Sequence, residues 1–265
     1  RIIGVFTVDD GTGNKEERLK IVRDESIGNY SWDNKNTSTG AETAYGKNNW
    51  TDARLNYLLN PGHENESVGG SLYWNSSSGT CYNGQNNGTN TCDFTNTGLK
   101  QEAKNMIGDT LWYLGGGPDE YYDSSNGLAS HFYSYERGTT VYNGSDTSWI
   151  GKVGLMYPSD YGYATSGGTT VDRTMCLNKE LYNWTSNANY SDCYNNNWLF
   201  TSMSQWTITP RYVISYSVFC ILNLGHILSN YAYDVVEVHP VVYLKANIKI
   251  VDGNGSSSNP YRLQV

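Results

Sequence analysis

The residues best suited to chemistry in this chain are its five cysteines, and their spacing separates them. Cys81 and Cys92 bracket YNGQNNGTNT, a loop with no apolar periodicity, and Cys176 and Cys193 bracket a second Asn-rich stretch. A disulfide closing either short loop would contribute about 3 kcal/mol in the chain-entropy picture. Two such bonds imply an oxidising compartment, and hence an extracellular or cell-surface protein. The alternative is four free thiols in a reducing one. No CxxC or Cys/His spacing suggests zinc. Cys220 is the odd thiol. A hairpin could carry it to His226, with Asp234 nearby, as a nucleophilic Cys–His pair, so an enzyme is one reading.

The carboxylates are less specific. Asp9-Asp10-Gly11-Thr12-Gly13-Asn14 lacks the ligand ladder and terminal Glu of an EF-hand and reads as a hairpin turn. Asp119, Glu120 and Asp172 could hold a structural ion, but read more simply as solvated loop carboxylates. Gly115-Gly116-Gly117-Pro118 follows a helical pattern instead of opening one, which makes a poor phosphate loop. No metal or cofactor is expected.

Composition narrows the classes. The 265 residues carry 18 Lys plus Arg against 26 Asp plus Glu, and no cluster of four basic residues occurs. That excludes a nucleic-acid backbone as partner. Polarity comes instead from 30 Asn, from Ser, Thr and Gly, and from 23 Tyr. No apolar run approaches the roughly 20 residues of a bilayer span, so no direct membrane insertion is expected. The chain opens on Arg1, consistent with a removed signal or anchor.

The elements that must position these residues read as α+β in a single domain over residues 1–265. Ile2–Val8 and Arg18–Arg23 pattern as a strand and its return. Asn49–Leu59 follows helical spacing, with Trp50, Ala53, Leu55, Leu58 and Leu59 on one side, Asn49 or Thr51 as cap and Pro61-Gly62 as stop. Leu99–Leu114 patterns as a second helix. Ser130–Glu136, Ser148–Met156, Trp198–Ser202, Val238–Leu244, Asn247–Val251 and Tyr261–Val265 read as strands between long polar loops.

One segment departs from this polar background. From Arg211 to Val236, 17 of 26 residues are apolar or aromatic. From Thr207 to Val236 there is no Met, Trp, Gln, Glu or Lys. A hairpin turning at Asn223-Leu224-Gly225 would point Phe219 and Ile221 to one face. Tyr216, Cys220, Leu222, His226 and Leu228 would face the other way. A strand buried on both faces suits the alternation equally. The scattered polar residues and the missing types argue against a purely dry core, since Met is a favoured core filler.

The residues Trp206, Thr207, Ile208, Thr209 and Pro210, then Val218, Phe219, Ile221, Gly225, Ile227 and Ala232, and finally Val238, Pro240, Val241, Tyr243, Leu244 and Lys245 form an ordered frame. This order resembles the C-terminal variable region of proteins diversified by retroelements. The opening IIGVFTVDDGTG, the LWYLGGG stretch and GLMYPSDYGYATSGG are similar to the same family's lead-in. The family has Arg where His239 stands here. The resemblance implies a C-type lectin-like fold with two helices, short antiparallel sheets and long irregular loops. It also implies a variable region of about 206–245. The family's retroelement rewrites adenines, chiefly in Asn codons, and a codon ending in a pyrimidine cannot encode Met, Trp, Gln, Glu or Lys. Those are the five types missing here.

By the same resemblance, the residues between frame positions form the ligand surface. They are Arg211, Tyr212, Val213, Ile214, Ser215, Tyr216 and Ser217, then Cys220, Leu222, Asn223, Leu224, His226, Leu228, Ser229 and Asn230, and then Tyr231, Tyr233, Asp234, Val235 and Val236. The implied function is a non-enzymatic, adhesin-like binding protein displayed on a bacterial surface or pilus. Its partner would be a protein or other macromolecule on a host, bacterial or phage surface. The enzyme alternative remains, because formylglycine-generating oxidases share the general fold and Cys220 is a candidate thiol. A glycan-binding lectin is a third reading. The Glu-Pro-Asn, Gln-Pro-Asp and Trp-Asn-Asp motifs of calcium-dependent sugar sites do not occur.

Overall fold

The computed structural model describes residues 1–35, 46–256 and 258–265. Its strands are β1 (Ile2–Asp9), β2 (Lys15–Val22), β3 (Asn29–Ser31), β4 (Ser78–Tyr82), β5 (Thr89–Asp93), β6 (Thr110–Tyr113), β7 (Ser148–Gly151) and β8 (Val153–Gly154). They continue with β9 (Gln205–Pro210), β10 (Ser217–Ile221), β11 (Ile227–Tyr231), β12 (Val235–Glu237), β13 (Val241–Tyr243), β14 (Lys249–Asp252) and β15 (Arg262–Gln264). Short α-helices span Arg54–Leu59, Gln101–Met106, Ala129–Glu136, Pro158–Tyr163, Arg173–Leu177 and Ser191–Asn195. The α+β class therefore holds, with more and shorter helices than the two expected.

Two sheets carry the fold. One runs β1-β2-β13-β8, so the opening hairpin pairs with a strand near the C-terminus. The other runs β11-β10-β9-β12-β3 and contains most of the Trp206–Lys245 segment. The β1–β2 turn is built as its Asp and Gly residues suggest. Asp9 Oδ1 accepts the N–H groups of Gly11 at 2.8 Å and Gly13 at 2.9 Å. Both glycines adopt positive φ, near 92° and 93°, where side chains are disfavoured. Both disulfides form, Cys81–Cys92 and Cys176–Cys193, and Cys220 is the free cysteine.

Several local expectations fail for identifiable reasons. Leu99–Leu114 is not one helix, because the helix stops after Met106 and 110–113 form β6 against β7. Gly108, between the two, lies where a Cβ would meet the Arg18 guanidinium. Ser130–Glu136 is helical, not a strand; Ala129, Phe132 and Glu136 share the buried side while Tyr133 faces out. Trp198–Ser202 forms no strand, and Gln205 Nε2 donates to the Leu199 carbonyl there at 3.0 Å. Asn49–Leu59 divides into a 3-10 turn at Trp50–Asp52 and the helix Arg54–Leu59, which neither Asn49 nor Thr51 caps; its first N–H, on Arg54, donates instead to Asp33 Oδ1 at 3.3 Å. Its five expected core residues are all buried. No helix among the described residues is long and apolar enough to cross a membrane.

The core replaces aliphatic bulk with tryptophan. Trp32, Trp50, Trp112, Trp184 and Trp206 are all fully buried. Four of these indoles donate to carbonyls: Trp32 to Thr207, Trp112 to Gly151, Trp184 to Cys176 and Trp206 to Tyr30. Each ring fills volume, and those of Trp32, Trp112 and Trp206 also tie distant segments together.

Charge is also buried. Lys20 contacts Asp160, and Glu136 accepts Ser159 N–H at 3.0 Å and pairs with Arg137 at 3.1 Å. Burial pushes the Glu136 carboxyl from its ordinary 4.5 up to about 7, against the opposing pull of Arg137. A raised acid binds its proton more tightly when folded. Its contribution to stability is complete below pH 4.5 and is lost as pH rises through about 7. The loss amounts to about 3 kcal/mol. Glu136→Gln is therefore expected to gain on the wild type by that amount between the two pH values, read by urea unfolding. A pH-independent difference would refute the buried proton.

Candidate binding surface

The Trp206–Lys245 segment crosses the five-stranded sheet three times, as β9, β10 and β12, and adds β11 at its edge. The turn lies where the sequence places it. Leu222 N–H donates to the His226 carbonyl at 2.9 Å, and Gly225 N–H to Leu222 at 2.8 Å. Gly225 has φ near 86°, and a Cβ there would overlap the Tyr194 side chain. Glycine is required on both counts.

Burial divides the segment along the frame. Every frame residue from Trp206 to Leu244 is buried, and Lys245 alone among them is exposed. The residues between them are exposed or half-buried, except for four. Leu224 is 60% exposed, Val235 47%, Tyr231 45% and Val213 37%, values that exclude a core role for those apolar side chains. Arg211, Tyr212, Ile214, Tyr216, Leu222, His226, Leu228, Ser229, Tyr233 and Asp234 are half-buried.

The four exceptions are Ser215, Ser217, Cys220 and Val236, all buried. For all four this corrects the expectation of ligand contact. Strand β10 lies between β9 and β11 and is covered on both faces, so the alternation that aimed Cys220 outward finds no open side. Val236 pairs with Tyr30 of β3 inside the sheet.

Residues from earlier in the chain grip the loops of this segment through their main chain. The buried Asn48 side chain is the clearest case, and nothing in its local sequence marks it. Its Nδ2 donates to the carbonyls of Ile214 at 2.7 Å, Ser217 at 2.8 Å and Arg211 at 3.0 Å. Its own N–H donates to Ser215 at 2.7 Å. Ser31 Oγ donates to Tyr233 O at 2.7 Å, Tyr161 Oη to Gly225 O at 2.6 Å and Asp33 N–H to Ala232 O at 3.0 Å. None of these bonds involves a side chain of the intervening residues. These bonds survive a change of those side chains, whereas Asp234, which accepts Tyr231 N–H at 3.2 Å, Ser217, whose Oγ donates to Asn230 O at 3.2 Å, and Arg211, which pairs with Asp119, also hold the segment by their side chains.

The surroundings of the surface were not legible from the segment. The Gly115–Gly117 run fits under it: a Cβ on Gly116 would strike Tyr212, and Gly117 N–H donates to Pro210 at 2.8 Å. Tyr212 lies near-parallel to Tyr135, with ring centroids 6.5 Å apart, beside a hollow of about 130 Å³ that also borders Pro118, Asp119, Glu120 and Asn126. Arg211 pairs with Asp119 and lies over the Tyr121 ring. His226 meets Tyr182 edge-on at 5.9 Å, and Tyr182 in turn meets the exposed Tyr122. Tyr216, Tyr231 and Tyr233 form a run of rings with centroids 5.7 and 5.5 Å apart.

Cys220 lacks the setting of a reactive thiol. Cys220 donates to the Leu228 carbonyl at 3.4 Å, and burial first, then Asp234, pushes its thiol far above the ordinary range. A thiolate nucleophile needs the opposite shift. Burial also holds the His226 imidazole low and raises the Asp234 carboxyl. Asp119 is paired with Arg211, Asp172 caps the helix Arg173–Leu177, and no cluster of three metal-ligating side chains exists among the described residues. His239 lies buried between the Arg23 carbonyl and the Glu237 carboxylate. In comparisons with known proteins, no family model, no curated protein and no solved structure matches this chain.

Proposed function

We propose that this chain is a non-enzymatic, surface-displayed binding protein with a C-type lectin-like fold. Its 206–245 segment holds a replaceable ligand surface on a fixed frame. The observation that supports this reading is the split within one segment: frame residues buried, intervening residues outward, and the loops held by main-chain bonds. A solid core segment would bury both sets. The outward set is rich in Tyr, which supplies stiff, amphipathic contact area at small entropic cost, with aliphatic side chains beside it. Such a surface suits a protein or other macromolecule. The two disulfides support an extracellular location.

Changing Tyr212, Tyr216, Tyr231 and Tyr233 together to Ser tests the surface. Total stability is expected to fall by no more than about 2 kcal/mol, as for substitutions outside the core. Binding of the labelled protein to host and bacterial cells should be lost. Global unfolding of that variant would return the segment to the core. The coding DNA supplies an independent check of its origin: a near-repeat of the segment, differing at adenines, beside a reverse transcriptase gene.

A further inference from the structure

We propose that Lys20 and Asp160 become joined by an amide bond between Lys20 Nζ and Asp160 Cγ, a covalent staple from strand β2 to the helix Pro158–Tyr163. The two residues are separated by 140 positions, and Nζ and Oδ2 are in direct contact. The side chains are 0% and 3% exposed, so the pair is largely withdrawn from bulk water, with Asp160 alone bordering a cavity. Four rings surround Nζ, with centroids at 4.4 Å for Tyr157, 5.4 Å for Phe6 and Tyr243, and 5.9 Å for Trp112. An ammonium has three protons to donate, and Asp160 is its hydrogen-bond acceptor among the described residues.

This setting destabilises the charged reactants and not the neutral product. In water an amine and an acid remain an ion pair because hydration favours both charges. Here both charges have lost most of that hydration, and what replaces it is their mutual contact, the four ring faces around Nζ and the Tyr157 N–H that Asp160 Oδ2 accepts at 2.8 Å. Burial also pushes the Lys20 amine down, opposed by Asp160. The neutral amine is the nucleophile, and its contact with Oδ2 holds it beside the carboxyl group it would attack, which removes part of the entropic barrier.

A second carboxyl stands beside the pair. Glu136 is fully buried, has its carboxyl pushed up to about 7, and binds the N–H and Oγ of Ser159, the residue before Asp160. Its oxygens are taken by Ser159 and Arg137, so it acts on Lys20 through its charge. The step balances without an oxidant or any co-reactant. The Nζ–Cγ bond forms and one Cγ–O bond breaks. That oxygen leaves as water with two of the three ammonium protons. Asp160 and Ser159 line a cavity of about 270 Å³ bounded by Ile3, Phe6, Tyr163 and Trp198, which gives the water an exit.

The test is the intact mass of the folded, secreted chain after denaturation and disulfide reduction. The wild type is expected to be lighter than its sequence by one water. Tandem mass spectrometry of a digest should find the Lys20 and Asp160 peptides linked. Lys20→Arg should restore the full mass. A wild-type chain at full mass overturns the proposal, and that result does not depend on whether the variant folds. A one-water deficit mapped elsewhere, for example to a succinimide at Asp10-Gly11 or Asp252-Gly253, also overturns it.

Discussion

Trp206→Ala is expected to cost about 3–5 kcal/mol of folding stability, the range for emptying a large buried aromatic site. The indole is 1% exposed, so its whole volume becomes cavity. Its Nε1 donates to the Tyr30 carbonyl at 2.9 Å, and that acceptor would be left without its partner. Trp206 also stands opposite Cys220 in the β9–β10 pairing, so the loss falls at the centre of the sheet beneath the proposed surface. Urea unfolding of the single variant gives the number directly. Trp206 and Tyr231 belong to the same unusual segment, yet Tyr231→Ala should cost far less, because that ring is 45% exposed. Equal costs for the two would contradict a segment divided between frame and surface.

That division was partly legible in the sequence. The Val218–Leu228 hairpin and the turn at Gly225 followed from β-branched residues around Asn-Leu-Gly, and both are local. The β1–β2 hairpin followed from Asp-Asp-Gly-Thr-Gly-Asn for the same reason. The outward aim of Cys220 did not hold, because period-two alternation gives the two faces of a strand but not what covers each face. Leu111, Trp112 and Tyr113 continued a helical pattern with Leu99 and Ala103, while the pairing that makes them a strand comes from Ser148–Gly151, far along the chain. Ser130–Glu136 reads as a strand in sequence, whereas its buried side fits a helix. Long-range pairing overrode local pattern in the first case and helical packing in the second.

Asn48 illustrates the same limit and carries the other large expected effect. As one of 30 Asn residues it has no distinguishing neighbour in sequence, and only folding brings it under the Arg211–Ser217 loop. Asn48→Asp keeps the shape and removes both Nδ2 protons. The loop carbonyls of Arg211, Ile214 and Ser217 then face a carboxylate oxygen in a site that is 1% exposed. Each orphaned acceptor costs about 1–3 kcal/mol, and the buried carboxylate adds its own desolvation, so a total of about 4 kcal/mol or more is expected at neutral pH. Asn48→Ala removes the donor without adding the charge and should cost less, since water can enter the space left behind. Lowering the pH should recover part of the loss in the Asp variant alone, because the protonated acid regains one donor for those carbonyls. Amide exchange adds a local reading: protection should fall at Ser217, whose N–H bonds Ile214 within this loop, before it falls at Ile208 in β9. If Asp and Ala at position 48 proved equally mild, the loop would be held by its own side chains. The surface residues could then not be exchanged freely, and the proposed division between fixed frame and replaceable contacts would fail.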